Sequence, residues 1–152
     1  MEKNRFKLDE GGLIEQGIQD SNKIDRIKRI EGTMAETEAV FGAVKEVYDK
    51  AVVTANNNTE QKKALIPLAE GVIKQAETLS SHVAYSQISK TLDAAILDYK
   101  YIPGYFKVDL VWERMANIKR YSEWLTKALN SIYTELGEEL EKLTTQNEGA
   151  GI

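Results

Sequence analysis

A chain of 152 residues with 42% apolar and 29% charged residues can bury the core of one ordinary domain. Its net charge of −4 comes from acids and bases interspersed along the chain, which leaves no basic face for a nucleic-acid partner. The complete lack of cysteine excludes disulfides, thiol catalysis and cysteine-ligated metals.

The first 19 residues carry only a weak pattern. Three glycines lower their helix propensity, and few apolar side chains are spaced for packing. Residues 1–10 also lack the apolar core of a signal peptide. We interpret residues 1–19 as an N-terminal arm or a short helix, with Asp20 or Ser21 as the N-cap of the main body, residues 20–143.

The next segment carries a clear helical repeat. Its apolar positions alternate in steps of three and four for more than three heptads: Ile27, Ile30, Met34, Thr37, Phe41, Val44, Tyr48 and Ala51. Val40, Val47 and Val52 flank this seam and widen the apolar face. A wide face is typical of a helix that packs against two neighbours in a bundle.

Asparagines at 56–58 predict the end of this helix, because asparagine favours turns and caps. Asn58 with Gln61 three positions later resembles a capping box, which predicts the start of the next helix. Pro67 is expected to kink or delay that helix, because proline has no backbone N–H to donate.

The middle region, residues 59–102, contains two seams that are out of phase. The first runs through Leu65, Ala69, Val72, Ala76, Leu79 and Val83, and the second through Tyr85, Ile88, Leu92, Ala95, Tyr99 and Ile102. Either one helix continues with a shift in its seam, or it breaks near Ser80–Ser81 into two helices.

Pro103–Gly104 marks the strongest break in the chain. The last helix follows, with a regular seam of Val108, Val111, Met115, Ile118, Ser122, Leu125, Leu129, Ile132 and Leu136. Residues 144–152 are polar and are expected to form a flexible tail. No alternation of period two predicts a strand. The sequence therefore predicts an all-α fold: an elongated up-down-up bundle of three long helices, or four if the middle helix breaks.

Side chains for chemistry are sparse. His82 is the single histidine, and no Glu-x-x-His spacing accompanies it. Four glutamates, Glu135, Glu138, Glu139 and Glu141, fit a solvated helix face better than paired catalytic carboxylates. We predict no catalytic residues, no metal, no cofactor and no small-molecule substrate. No stretch reaches the ~20 apolar residues of a membrane span, so we expect a soluble protein, cytoplasmic or within a larger assembly.

Aromatic residues supply the candidate site. Tyrosine and tryptophan are enriched at protein interfaces, and the candidates here are Tyr99, Tyr101, Tyr105, Phe106, Trp112 and Trp124. The same rings could instead complete the core. The first hypothesis is a non-enzymatic structural, assembly or adaptor component, for example of a virion, that binds a protein partner or self-associates. The alternative is a small regulator or inhibitor of one enzyme or receptor.

Overall fold

A computed structural model describes the backbone of residues 8–54, 58–84 and 87–151, and the side chains of 21–54, 58–84 and 87–145. Four long helices and one single turn follow in order: α1 (Leu8–Val53), α2 (Thr59–His82), α3 (Ile88–Tyr99), α4 (Ile102–Tyr105) and α5 (Trp112–Gly151). No strand occurs in these ranges, and the predicted all-α bundle is confirmed.

The middle region forms two helices. α2 ends at His82, one to two residues beyond the expected break, and α3 begins at Ile88. α3 then runs antiparallel to α2. Two contacts show this: Ser80 Oγ donates a hydrogen bond to Asp93, and Lys100 Nζ lies 3.1 Å from Glu77 Oε2. The reversal lets both out-of-phase seams face one core, which a continuous helix would not allow.

The longest helices, α1 and α5, run antiparallel and make the most extensive contact of the bundle. Arg26 Nη2 lies 2.6 Å from Glu139 Oε1, and Tyr133 Oη donates to Glu38 Oε1 at 2.9 Å. Between these two contacts the residue number increases along α1 and decreases along α5, as it must for antiparallel helices. With α3 also against α5, the order of the four long helices is up, down, up, down.

α1 extends well beyond α2. His82 Nδ1 at the end of α2 lies 2.8 Å from Glu36 Oε1, so residues 8–35 of α1 reach past that end. With 46 residues, α1 is ~69 Å long, against ~36 Å for the 24 residues of α2.

The two long helices continue toward both ends of the chain. α1 runs without a break through Asp20 and Ser21, and α5 continues to Gly151, so residues 8–19 and 144–151 prolong the two long helices. The rest of the expected arm, residues 1–7, lies outside the described residues, as does Ile152.

Most of the predicted seam positions are buried, but the centre of the buried helix face differs from the prediction. In α1, the flanking Val40 and Val47 are 1% exposed, whereas Val52 is 48% exposed. In α5, Leu125 and Leu129 are buried as predicted. Val108 and Val111, which were assigned to the α5 seam, precede the helix and are exposed. The other buried seam positions of α5 are Ile118, Ser122, Ile132 and Leu136.

The start of α2 confirms the predicted cap. Asn58 Oδ1 accepts a hydrogen bond from the Gln61 backbone N at 3.0 Å, which pairs one of the free N–H groups of the first turn. Pro67 does not delay the helix, because α2 begins eight residues earlier at Thr59. Pro67 is exposed, so its ring, which has no backbone N–H to donate, lies at the surface of α2.

A buried lysine holds the connection between α4 and α5 against α2. The Lys62 side chain is 6% exposed, and its Nζ donates to the Val108 carbonyl at 3.1 Å. Asp109 Oδ1 lies 3.7 Å from the same nitrogen. From the other side, Arg114 Nη1 donates to the Asp109 carbonyl at 2.6 Å. These contacts fix the path from the end of α4 to the start of α5 without any regular secondary structure.

Candidate interaction surface

Two of the six candidate aromatic residues belong to the core. Tyr99 is 0% exposed and Phe106 is 1% exposed, so neither ring can contact a partner in this conformation. Burial also raises the pKa of Tyr99, because the phenolate would lose its hydration in the core. The Tyr99 hydroxyl has no hydrogen-bond partner among the described residues.

The buried hydroxyl gives a stability prediction. We expect Tyr99→Phe to raise the free energy of unfolding by about 1–3 kcal/mol, because it removes a buried polar group that lacks a partner. A raised folded pKa also means that the unfolded chain releases this proton first as the pH rises. The wild-type protein should therefore lose stability relative to Tyr99→Phe above pH ~10, and chemical denaturation at several pH values measures the difference. A constant difference from pH 7 to 11, or a less stable variant at pH 7, would contradict it.

Tyr105 has a structural role in the same region. Its ring is partly buried against the core, and Asn117 Nδ2 donates to its hydroxyl at 3.4 Å. Burial raises the pKa of Tyr121, and the charge and hydrogen bond of Tyr105 raise it further. Through its hydrogen bond with Asn117, Tyr105 joins the end of α4 to α5.

Two exposed rings and one partly buried ring form a row between the end of α3 and α5. Tyr101 and Tyr121 have ring centroids 6.2 Å apart, and Tyr121 and Trp124 have centroids 5.8 Å apart. Tyr101 is 60% exposed and Trp124 is 47% exposed. These three rings are called the aromatic row below. Such spacings are those of favourable tilted ring pairs, which hold the rings in fixed positions on the surface.

An aliphatic side chain lies close to the aromatic row in sequence. Leu97 is 65% exposed and precedes Tyr101 by four residues. Tyr101 keeps helical dihedral angles beyond the end of α3, so the two side chains share one face. Together with the aromatic row, Leu97 makes an apolar surface that solvent reaches.

Trp112 does not join the aromatic row. It is 81% exposed at the first position of α5, and twelve residues separate it from Trp124. That separation is ~18 Å along the helix axis. Of the six candidates, only Tyr101 and Trp124 lie together on the surface.

Sequence reasoning missed Tyr121 and Leu97. Tyr121 precedes Trp124 by three residues, a spacing that places both on one side of a helix, and this signal was available. Leu97 precedes Tyr101 by four residues, so the same kind of signal was available for it. The pairing of Tyr101 with Tyr121 depends on the reversal between α2 and α3.

A membrane span and a metal site each need a specific arrangement of side chains. None of the helices in the described ranges is long and apolar enough to cross a membrane. Groups of three or more histidine, aspartate or glutamate side chains arranged to hold a metal ion are also absent from those ranges. Comparison of the chain with protein-family models, with curated proteins and with solved structures finds no match.

Proposed function

We propose that this protein is a non-enzymatic structural, assembly or adaptor component that binds a protein partner through the aromatic row. The observation that carries the proposal is the continuous series of rings in which the partly buried Tyr121 lies between the exposed Tyr101 and Trp124. Exposed aromatic side chains of this kind are the residues that most often dominate binding energy at protein interfaces.

The aromatic row suits a partner because its rings are already positioned. Tyr121 lies between the other two rings and contacts both, so little side-chain freedom remains to be lost on binding. Leu97 adds apolar area beside them. Long helices behind the surface keep it rigid. A preformed surface of apolar side chains of this kind favours a helix or another protein surface over a small molecule.

Site-specific photocrosslinking tests the proposal. We replace Trp124 with a photoreactive benzoylphenylalanine, express the protein in its native host and irradiate the cells. The expected result is one discrete crosslinked protein, because the new ring occupies the position of a contact residue. When the photoreactive residue stands at position 101 instead, adding Trp124→Ala should reduce the yield of crosslinked partner at least tenfold.

Gln75 provides the matched control. It is exposed on α2, a helix that contributes no ring to the aromatic row, and should give no product of that mass when it carries the same photoreactive residue. Equal products from positions 75 and 124, or no product from position 124, would contradict the proposal. If the crosslinked partner is a single enzyme or receptor whose activity changes, the regulator alternative replaces the assembly role.

A further inference from the structure

A carboxylate without a partner lies beside the aromatic row. Asp98 precedes Tyr101 by three residues of helical backbone, so the two side chains share one side of the turn. Asp98 is half-buried, and its carboxylate makes neither a hydrogen bond nor an ion pair in the part of the chain that the structure describes. Burial, then Tyr105, and then the negative charge of Asp98 raise the pKa of Tyr121. The carboxylate therefore lies near the central ring of the row.

The cations closest to the aromatic row are already engaged. Lys100 Nζ lies 3.1 Å from Glu77 Oε2, and Arg120 Nη1 donates to Asn117 Oδ1 at 3.1 Å. Neither cation lies within ion-pair distance of Asp98. The other charged side chains of this part of α5 line a groove that α5 shares with α1: Lys119, Glu123 and Lys127. Asp98 is therefore the charge that remains to be paired at the row.

Asp98 gains nothing from its own helix. It lies in the last turn of α3, which ends at Tyr99, and the C-terminal end of a helix carries partial negative charge. No basic side chain stands in that turn to offset the carboxylate. A partner that covers the aromatic row also removes water from Asp98, which costs free energy unless the partner supplies a cation or a donor. The carboxylate therefore favours a partner that brings a positive group.

The aromatic row offers side chains to a partner but no free backbone edge. No strand occurs in the described ranges, and the rings stand on helices or on the helical turn between α3 and α4. An extended partner segment would bring unpaired backbone N–H and C=O groups to this apolar surface, whereas an α-helix pairs them internally. The centroid spacings of 6.2 and 5.8 Å also match the ~6 Å rise between residues i and i+4 of a helix. Both observations favour a helix.

We infer that the partner contacts the aromatic row through an amphipathic α-helix that places a lysine or arginine beside Asp98. The apolar stripe of this helix covers Tyr101, Tyr121 and Trp124 with side chains about one turn apart. Its positive group pairs with the Asp98 carboxylate and replaces the water that docking removes. This inference rests on the proposed function, because it specifies the chemistry of the partner at the same surface.

Charge reversal at Asp98 tests the positive group. With the photoreactive residue at position 124, Asp98→Lys should lower the yield of crosslinked partner at least tenfold. Asp98→Asn should lower it less, because asparagine loses the charge but keeps an acceptor. A lysine in the last turn of α3 suits the helix dipole, so the variant should fold like the wild type, which circular dichroism and the thermal midpoint verify.

Glu70→Lys is the matched control. Glu70 is exposed on α2, a helix that contributes no ring to the aromatic row, and the substitution makes the same change in net charge as Asp98→Lys. It should leave the yield from position 124 unchanged. A loss that occurs with Asp98→Lys and not with Glu70→Lys therefore reports a contact at Asp98 rather than the overall charge of the protein.

The attachment sites on the partner test the helix. Sequencing the crosslinked peptides from positions 101 and 124 identifies one partner residue for each position. The aromatic row is at most ~12 Å long, which corresponds to ~8 residues of helix. The two sites should be three, four, seven or eight residues apart in one helix, with a lysine or arginine within two turns of them. Changing that basic residue to glutamate should restore the yield that Asp98→Lys loses.

Different outcomes overturn the inference and the proposed function. The absence of any product from position 124 in the otherwise unchanged protein overturns both. A product with equal yield in Asp98→Lys and Glu70→Lys overturns the inference alone. Attachment sites in an extended segment, or a partner helix without a lysine or arginine near them, also overturn it while the row remains a protein-binding surface.

Discussion

Leu129→Ala is expected to lower the free energy of unfolding by about 2–5 kcal/mol. Leu129 is 2% exposed and lies on the face of α5 that packs into the core beside Leu125 and Ile132. Truncation removes apolar area from the core and leaves a cavity that rigid helices fill only in part. Urea denaturation followed by circular dichroism measures the loss as a lower midpoint with an unchanged slope.

Leu97→Ala is the matched control, because it makes the same chemical change at a side chain that is 65% exposed on α3. We expect it to change stability by less than ~0.5 kcal/mol. Equal losses for the two variants would mean that burial does not distinguish the two sites, and the arrangement of α5 against the core would be wrong.

Lys62→Met is expected to lower the free energy of unfolding by about 1–3 kcal/mol. Methionine keeps the apolar stem but cannot donate, so the Val108 carbonyl loses the ammonium that lies 3.1 Å away. The connection between α4 and α5 then loses its attachment to α2. Denaturation measures the stability, and limited trypsin digestion at the exposed Lys107 should become faster.

Lys63→Met is the control for this change, because Lys63 is the exposed neighbour in the same helical turn. It should alter neither stability nor cleavage. Unchanged or greater stability for Lys62→Met would show that an apolar side chain replaces the buried charge without loss, as happens at some buried ion pairs. The connection would then depend on Phe106 and Leu110, which are buried at 1% and 5% exposure.

The all-α class and much of the core were predictable because helical periodicity is a local signal. Steps of three and four residues placed Leu125 and Leu129 correctly, and Asn58 was recognised as a cap from its spacing to Gln61. The break after His82 could not be predicted from local sequence, since neither glycine nor proline marks it. It depends on how two out-of-phase seams share one core, which is a property of the packed bundle.

The candidate surface was predictable only in part. Composition identifies tyrosine and tryptophan but does not say which face of the bundle each one occupies. Tyr99 and Phe106 were therefore grouped with Tyr101, although they point into the core. The buried role of Lys62 was also beyond sequence reasoning, because its partner Val108 lies 46 positions away. Long-range pairs of this kind follow from topology.

Both tryptophans of this chain are on the surface, with Trp112 81% exposed and Trp124 47% exposed. We therefore expect the emission of Trp112 to be close to that of indole in water, and that of Trp124, which packs against Tyr121, to shift only moderately when the chain unfolds. The same property makes fluorescence a direct probe of surface contact. A partner that covers Trp124 shifts its emission to shorter wavelengths, while Trp112 gives a constant background that Trp112→Phe removes.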